Sequence, residues 1–442
     1  MAKEIVVIGG GLAGAEAAYQ IAKRGIHVKL YEMRPSDKAL AHHTNMFAEL
    51  VCSNSLKSKA IDNAAGLLKK EMEILDSLII KTAYECEVPA GQALAVDRNA
   101  FAKRITDVIK NNPFIEIIHQ EIEQINEDNV TIIASGPLTS DNLSNSIRKI
   151  LGEDYLYFYD AAAPLVYKDT IGNIAYKKSR YDKGGDDYIN LPFTKEQFFD
   201  FYNELINAEK IELKKFEKMI NFEACLPIEE IARRGYRTLL FGPLKPVGLE
   251  KDDGSKPFAV AQLRQDNQSD TLYNIVGFQT NLTFSEQKRV FSMIPGLDSA
   301  KFARYGVMHR NTFINSPKCL NSSLVTKKNN KLLFAGQITG VEGYIESAAT
   351  GIIAAINATR ILENKMITKL PKSTILGSLL NYLENGNSYN FQPMNANYGV
   401  LASSLKDREE IARISLADIR KWSEENAWTS KWIYWVFIIW EA

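Results

Sequence analysis

The sequence predicts an α/β protein in which one dinucleotide-binding domain, split between the two ends of the chain, is interrupted by an inserted α/β domain. The prediction rests on three stretches. EIVVIGGGLAGAEAAYQIAKRGIHVKLYE at the front reads as strand, glycine turn, helix and strand. KLLFAGQITGVEGYIESAATGIIAAINATRIL at 331–362 repeats the strand, glycine loop and helix near the other end. Between them the chain turns helical and charged from residue 194. With 442 residues, 45% of them hydrophobic and 24% charged, the chain can build two ordinary cores.

At the front, Ile5–Ile8 is β-rich and Gly9, Gly11 and Gly14 give G-x-G-x-x-G. Gly9 permits the tight turn, Gly11 lets backbone approach a pyrophosphate, and Gly14 lets helix and strand pack closely. The Ala-rich helix over 13–22 presents its unpaired N–H groups to the phosphates, with Gly10, Leu12 and Ala13 in the same turn. Val28–Tyr31 is the next strand, and Glu32 at its end can accept hydrogen bonds from a ribose diol. Arg34, two residues on, is read either as a contact to adenine or phosphate or as a solvated charge.

In the late element, Leu332–Ala335 is an apolar strand, Gly336, Gly340 and Gly343 form a loop, and Ser347–Leu362 is an amphipathic helix. Large FAD proteins use such an element to aim a helix N-terminus at the flavin pyrimidine ring, where the positive end of the dipole stabilises reduced flavin. The two elements together predict an FAD-binding Rossmann-like domain of the glutathione-reductase type, over roughly residues 1–190 and 325–442. The insertion is placed at roughly 190–325.

In the insertion, Thr194 and Gln197 have the spacing of a capping box. Further on, FEACLPIEEIARRGYR sets Cys225 just ahead of a short helix begun by Pro227. The positive end of a helix lowers the pKa of a nearby thiol. Arg233, Arg234, Arg237 and Lys245 supply a local cationic edge beside it, the patch a nucleic acid would need. Basic and acidic residues balance at 53 each, so any nucleic-acid site must be such a local patch. A buried structural cysteine with solvated basic residues remains the alternative reading.

Cys52, in FAELVCSNSLKS, sits where an apolar run meets a polar one. A buried structural thiol and a reactive thiol are both compatible with that seam. Cys86 and Cys319 have no supporting context and read as structural, and no Cys or His spacing suggests a metal site. The scattered cysteines point to a reducing cytoplasm. MAKEIVVIGGG reads as a strand, not a signal peptide, and no run reaches membrane-spanning length, so no membrane partner is expected. The apolar run at 432–440 is expected to pack as a terminal segment.

Taken together, VIGGGLAGAEAAYQIA, AHHTNMFAELVCSNSLKS, VPAGQALAVDR, FEACLPIEEIARRG, GPLKPVGL, QLRQDN, YGVMHRNTFINSP and FAGQITGVEGYIESAATG resemble the folate- and FAD-dependent tRNA uracil-5 methyltransferases (TrmFO), in order and over nearly the whole chain. The resemblance implies a flavoprotein that moves the methylene group of 5,10-methylenetetrahydrofolate to C5 of the T-loop uridine of tRNA, giving 5-methyluridine, with NADPH or NADH re-reducing the flavin. It assigns Cys225 as the thiolate that adds to C6 of the uracil. Cys52 becomes a second thiol near the flavin, either base or transient cap. His309 becomes the residue that stacks the pterin, with Tyr344 nearby. A 23S rRNA uridine as target, or a GidA-like wobble-uridine tRNA-modifying flavoprotein, is the alternative. No obligate protein partner is implied.

Overall fold

The structure, a computed structural model, describes residues 4–35, 42–153, 155–179, 185–211, 226–251, 253–401 and 405–426. Cys225 and the apolar run at 432–440 lie outside the described residues, and His309 is described by its backbone alone.

A five-stranded parallel sheet forms the first layer. Its order is Leu332–Phe334, Thr131–Ile133, Glu4–Ile8, His27–Glu32 and Ile115–His119. The first strand is therefore central, flanked by His27–Glu32 on one side and Thr131–Ile133 on the other. Val6, Val7 and Ile8 pair with Thr131, Ile132 and Ile133, which in turn pair with Leu332, Leu333 and Phe334. The late strand thus completes the sheet that the front begins, and the alternation of strands and helices gives the parallel arrangement expected of crossovers.

Two helices cover this sheet, Leu12–Ala22 and Tyr344–Leu362. Both are buried almost all round, as their Ala-rich composition requires. They approach so closely that a Cβ on Gly351 would lie 2.3 Å from the Ala13 carbonyl oxygen. Structural neighbours of the same core are tied by buried carboxylates. Glu16 accepts hydrogen bonds from Ser77 Oγ and the Leu78 and Ile79 N–H groups, at the start of helix Leu78–Glu85. Glu71 does the same for Ile375 and Leu376 at the start of helix Ile375–Asn385.

A second, antiparallel sheet of six strands has its own core. The order is Tyr176–Lys177, Tyr188–Phe193, Ala259–Gln265, Leu272–Ile275, Leu165–Tyr167 and Phe302–Arg304. All residues of the central Ala259–Gln265 strand are buried. Helix Lys195–Asn207 starts on the expected capping box: Gln197 N–H donates to Thr194 Oγ1 at 3.2 Å, and Thr194 N–H donates to Gln197 Oε1 at 2.9 Å. Its Phe198 and Phe201 pack on Phe193, and Phe201 reaches Phe278. Leu156–Ala161 and Met308–Phe313 form an antiparallel pair of their own. No described helix is long and apolar enough to cross a membrane.

Candidate active site

Where the parallel sheet ends in glycine turns, a cleft with about 1050 Å3 of empty space opens to solvent. It is lined by Gly9–Ala13, by Glu32–Arg34, by Ser135–Ser140 and by Gly336, Gln337, Tyr344 and Ser347. The helix Leu12–Ala22 starts at this cleft with no side-chain cap and no acidic residue in its first turn. Its free N–H groups and the dipole are therefore available to an anion. Gly9 has φ +105°, and a Cβ there would strike the Ala134 carbonyl. At Gly11 a Cβ would meet nothing within 4 Å, so that position keeps open space against the cleft. These features fit a dinucleotide pyrophosphate.

Gly14 does not line the cleft. Its missing Cβ lets the Gly9 carbonyl oxygen approach to where only 1.8 Å would separate them. Of the three late glycines, only Gly336 borders the cleft: Gly340 packs on the Phe391 ring and Gly343 on Glu346 and Lys57. The late helix also starts at Tyr344, ahead of the expected Ser347, which brings Tyr344 into its first turn.

Glu32 closes its strand as expected, but its carboxylate is already fully bonded. Oε2 accepts from Gly10 N–H at 2.9 Å and Arg34 Nη2 at 3.1 Å; Oε1 accepts from Arg34 N–H at 3.1 Å and Arg34 Nε at 3.0 Å. A carboxylate offers about four such acceptor sites, so a ribose hydroxyl must share or displace one. Burial works against the charge on Glu32, yet the Arg34 hydrogen bonds and charge, with the Gly10 N–H, hold its carboxyl below the usual range. Arg34 is only 4% exposed, which overturns its reading as a solvated charge. It also lies 3.5 Å from Glu49 and donates to the Thr44 carbonyl. His42 borders the same cleft, and burial and the Arg34 charge push its imidazole down to about 4. Its Nδ1 is buried without a hydrogen-bond partner among the described residues.

Cys52 follows the cleft residue Val51 and meets Tyr344, which lies 292 positions away. Its Sγ is 2.9 Å from Tyr344 Oη. The same phenol oxygen accepts the Cys52 N–H at 2.8 Å and the Ser53 N–H at 3.2 Å. Two N–H donors occupy both lone pairs of a phenol, so its own proton is directed at the sulfur. Burial, then negative charge at Cys52, pushes the Tyr344 hydroxyl well above its ordinary range, which keeps it a donor.

The loop after Cys52 is fastened to the second sheet. Arg264 donates from Nε to Asn54 Oδ1 and from Nη2 to Ser53 Oγ, each at 3.0 Å. Asn54 Nδ2 donates to the Val96 and Gln265 carbonyls. Arg98 grips Asp266 Oδ1 through Nε and Nη2 and donates to the Leu50 carbonyl. Arg304, at the end of its strand, stands in the same cross-strand row as Arg264, through Leu165 and Asn274.

The segment after Cys225 is anchored as well. Leu226, Pro227 and Ile228 are buried, and Ile228 N–H donates to the Gln279 carbonyl at 2.7 Å. Helix Ile228–Arg233 is held by Glu229, which accepts from Thr280 Oγ1 and Asn281 N–H. At its end and beyond, Arg233, Arg234 and Arg237 are exposed and Lys245 is half-buried, with Phe241 at 80% exposure among them. His309 pairs with Asp160 in the two-stranded ribbon. Cys86 and Cys319 are buried, and burial pushes both thiols up, Cys319 to about 11.

Sequence reading missed the Ser135–Ser140 turn, the Gln120–Ile122 wall, His42 and Glu49. A signal existed for the first. TIIASGPLTS is an apolar run, a glycine turn and a Ser cap, and Ser140 does accept the Leu143 N–H at the head of helix Asp141–Leu151.

The chain matches the glucose inhibited division protein A (GidA) family over residues 4–366. It is 57% identical to a Natranaerobius thermophilus protein named methylenetetrahydrofolate–tRNA-(uracil-5-)-methyltransferase TrmFO, over 91% of this chain and 93% of that one. The chain belongs to the TrmFO family. A Brevibacillus brevis protein of the same name is 53% identical over 96% of this chain and 98% of its own length. The fold is also that of Aquifex aeolicus GidA, with a TM-score of 0.72 at 17% identity, covering 97% of this chain and 74% of that one. The TrmFO match spans both sheets, so the Cys52 loop and the Cys225 segment fall within it.

Proposed function

We propose that this TrmFO protein transfers the methylene group of 5,10-methylenetetrahydrofolate to C5 of a tRNA T-loop uridine, with FAD in the cleft and NADPH or NADH as reductant, in the cytoplasm. The observation that carries the reading is the Cys52–Tyr344 contact at the edge of a dinucleotide cleft, in a chain 57% identical to a TrmFO relative. The residues around the cleft fit FAD: the uncapped helix faces the pyrophosphate, Gly11 leaves room for it, and Glu32 and Arg34 stand at the ribose end. When bound, the flavin supplies redox chemistry and a carrier atom for the one-carbon unit.

In this reading the protein's own groups do three things. Cys225 supplies a thiolate for C6 of the uracil, which is electrophilic while its carbonyl charge is stabilised. Cys52, held by Tyr344, removes the C5 proton. Arg233, Arg234, Arg237 and Lys245 give the RNA backbone a cationic edge. The target base leaves its stack to reach the thiols, which a loop allows at low cost. The inserted unit carrying Cys225, expected at roughly 190–325, also takes in the strands Leu165–Tyr167 and Tyr176–Lys177 of the second sheet, and His309 and Tyr344 are assigned to the folate side.

The test is an assay with FAD, NADPH, methylenetetrahydrofolate and one of three RNAs: a T-loop tRNA, a 23S rRNA fragment, or a tRNA read at its wobble uridine. 5-Methyluridine in the T-loop is the expected product, and its absence from all three sinks the reading. Cys225→Ala must abolish the covalent RNA adduct.

A further inference from the structure

Arg304 has a pair of donors that no acceptor among the described residues uses. Its Nε and Nη2 are both buried, and neither has a hydrogen-bond partner. A buried donor left unpaired is costly, more so when charged, so an orphaned fork demands an explanation. The neighbouring arginines are not in this condition. Arg98 is engaged by Asp266 and the Leu50 carbonyl, and Arg264 by Asn54 and Ser53. Asp266, whose charge acts on Arg304, has its Oδ1 taken by Arg98 through two bonds. Arg304 pairs with Leu165, Leu165 with Asn274 and Asn274 with Arg264, so Arg304 stands in the same cross-strand row as the arginine that holds Ser53 and Asn54 beside Cys52. Burial and Arg98 oppose its cationic form, and Asp266, Tyr344 and Cys52 favour it.

We infer that the free Nε–Nη2 fork of Arg304 is the seat for O4 of the reacting uracil, a function that rests on the methyltransferase reading above. When the Cys225 thiolate adds to C6, the sulfur–carbon bond forms with the thiolate's electron pair. The C5–C6 π pair moves to C4–C5, and the C4–O4 π pair moves onto O4. The negative charge that left the sulfur therefore resides on O4. Once C5 has spent that pair on its bond to the one-carbon unit, O4 takes charge again when Cys52 receives the C5 proton, because the C–H pair is delocalised onto O4 through C4. A base at C5 and a donor at O4 must approach neighbouring positions of one ring, and Arg304 shares its cross-strand row with Arg264, which holds Ser53 next to Cys52. A preorganised donor in a water-poor site stabilises such an oxyanion without reorganisation.

The test uses the FAD-loaded full chain, with Arg304→Met and Arg304→Lys, and a T-loop RNA tritiated at C5 of its target uridine. Adduct formation and tritium release are timed at saturating RNA and folate, and KM is measured for each. Arg304→Met is expected to slow both steps by about 10²–10³-fold, the loss seen for single oxyanion donors, with both KM values within about threefold of the parent. Arg304→Lys is expected to recover at least about tenfold of that loss, because charge returns without the fork. Rates within threefold of the parent overturn the proposal. So does a loss confined to the KM for folate, which would make the fork a seat for a folate carboxylate. If Arg304→Met fails to retain flavin, Arg304→Lys decides alone: slower adduct formation at unchanged KM is expected, and parent-like rates overturn the proposal. A parent enzyme that makes no 5-methyluridine would instead sink the functional reading.

Discussion

Cys52 Sγ lies 2.9 Å from Tyr344 Oη, and that phenol oxygen is itself held by the Cys52 and Ser53 N–H groups. The tyrosine is thereby fixed as a donor to the sulfur. Tyr344→Phe removes the donor and strands two N–H groups. Turnover at saturating substrate should fall about 10–100-fold, in the range of lost positioned donors. Stability should fall by about 1–3 kcal/mol. Turnover and the denaturant midpoint, measured on the same preparation, check both.

Gly11 and Gly14 separate binding from folding. A Cβ at Gly11 meets open space, whereas one at Gly14 would sit 1.8 Å from the Gly9 carbonyl oxygen. Gly11→Val should keep the flavin-free protein within about 1 kcal/mol of the parent, since the position is a helix cap with ordinary φ, and should lose flavin absorbance. Gly14→Ala should destabilise the fold by about 1–3 kcal/mol or more through overpacking. Thermal melting of the flavin-free proteins distinguishes the two.

Glu32 and Arg34 form a buried pair in which the acid spends four acceptor sites on Arg34 and Gly10. Glu32→Ala leaves Arg34 with the Thr44 carbonyl and the longer contact to Glu49, strips its Nε and Nη2 of their acceptor, and should cost about 3–5 kcal/mol. Adding Arg34→Met should recover part of that stability without restoring flavin retention. A two-step denaturant series on the single and double variants reads the coupling directly.

Glu71 provides a pH signature. Burial outweighs its hydrogen bonds from Ser415, Leu376 and Ile375 and raises its carboxyl to about 7 from an ordinary 4.5. Between those values the unfolded chain has lost the proton while the folded chain keeps it. Stability must therefore fall as pH rises from about 4.5 to about 7. Glu71→Gln should flatten that slope, so the parent-minus-variant difference in denaturant midpoint should shrink or change sign between pH 5 and pH 7.5.

The local signals in the sequence were strong where chemistry is local. The first strand was expected at Ile5–Ile8 and runs Glu4–Ile8; the capping box at Thr194 and Gln197 forms as spaced. The cleft's remaining walls were not legible, because sheet pairing assembles them. Ser135–Ser140 arrives only because Thr131–Ile133 docks beside the first strand. The contact of Cys52 with Tyr344 joins residues 292 apart and has no periodicity to betray it. Gly340 and Gly343 looked like cofactor glycines because glycine spacing cannot distinguish room for a ligand from room for Phe391 or Glu346.

The parallel pairing of Leu332–Phe334 with Thr131–Ile133 also governs the timing of synthesis. On a ribosome adding about 5–20 residues per second, roughly 200 residues separate the two strands, so the Thr131–Ile133 edge waits on the order of 10–40 s for its neighbour. During that interval a hydrophobic strand edge is open to other nascent chains, the situation in which edge pairing leads to aggregation. The second sheet is made in that window, between the two strands that will flank each other. A truncated chain ending before Leu332 would keep that edge permanently exposed.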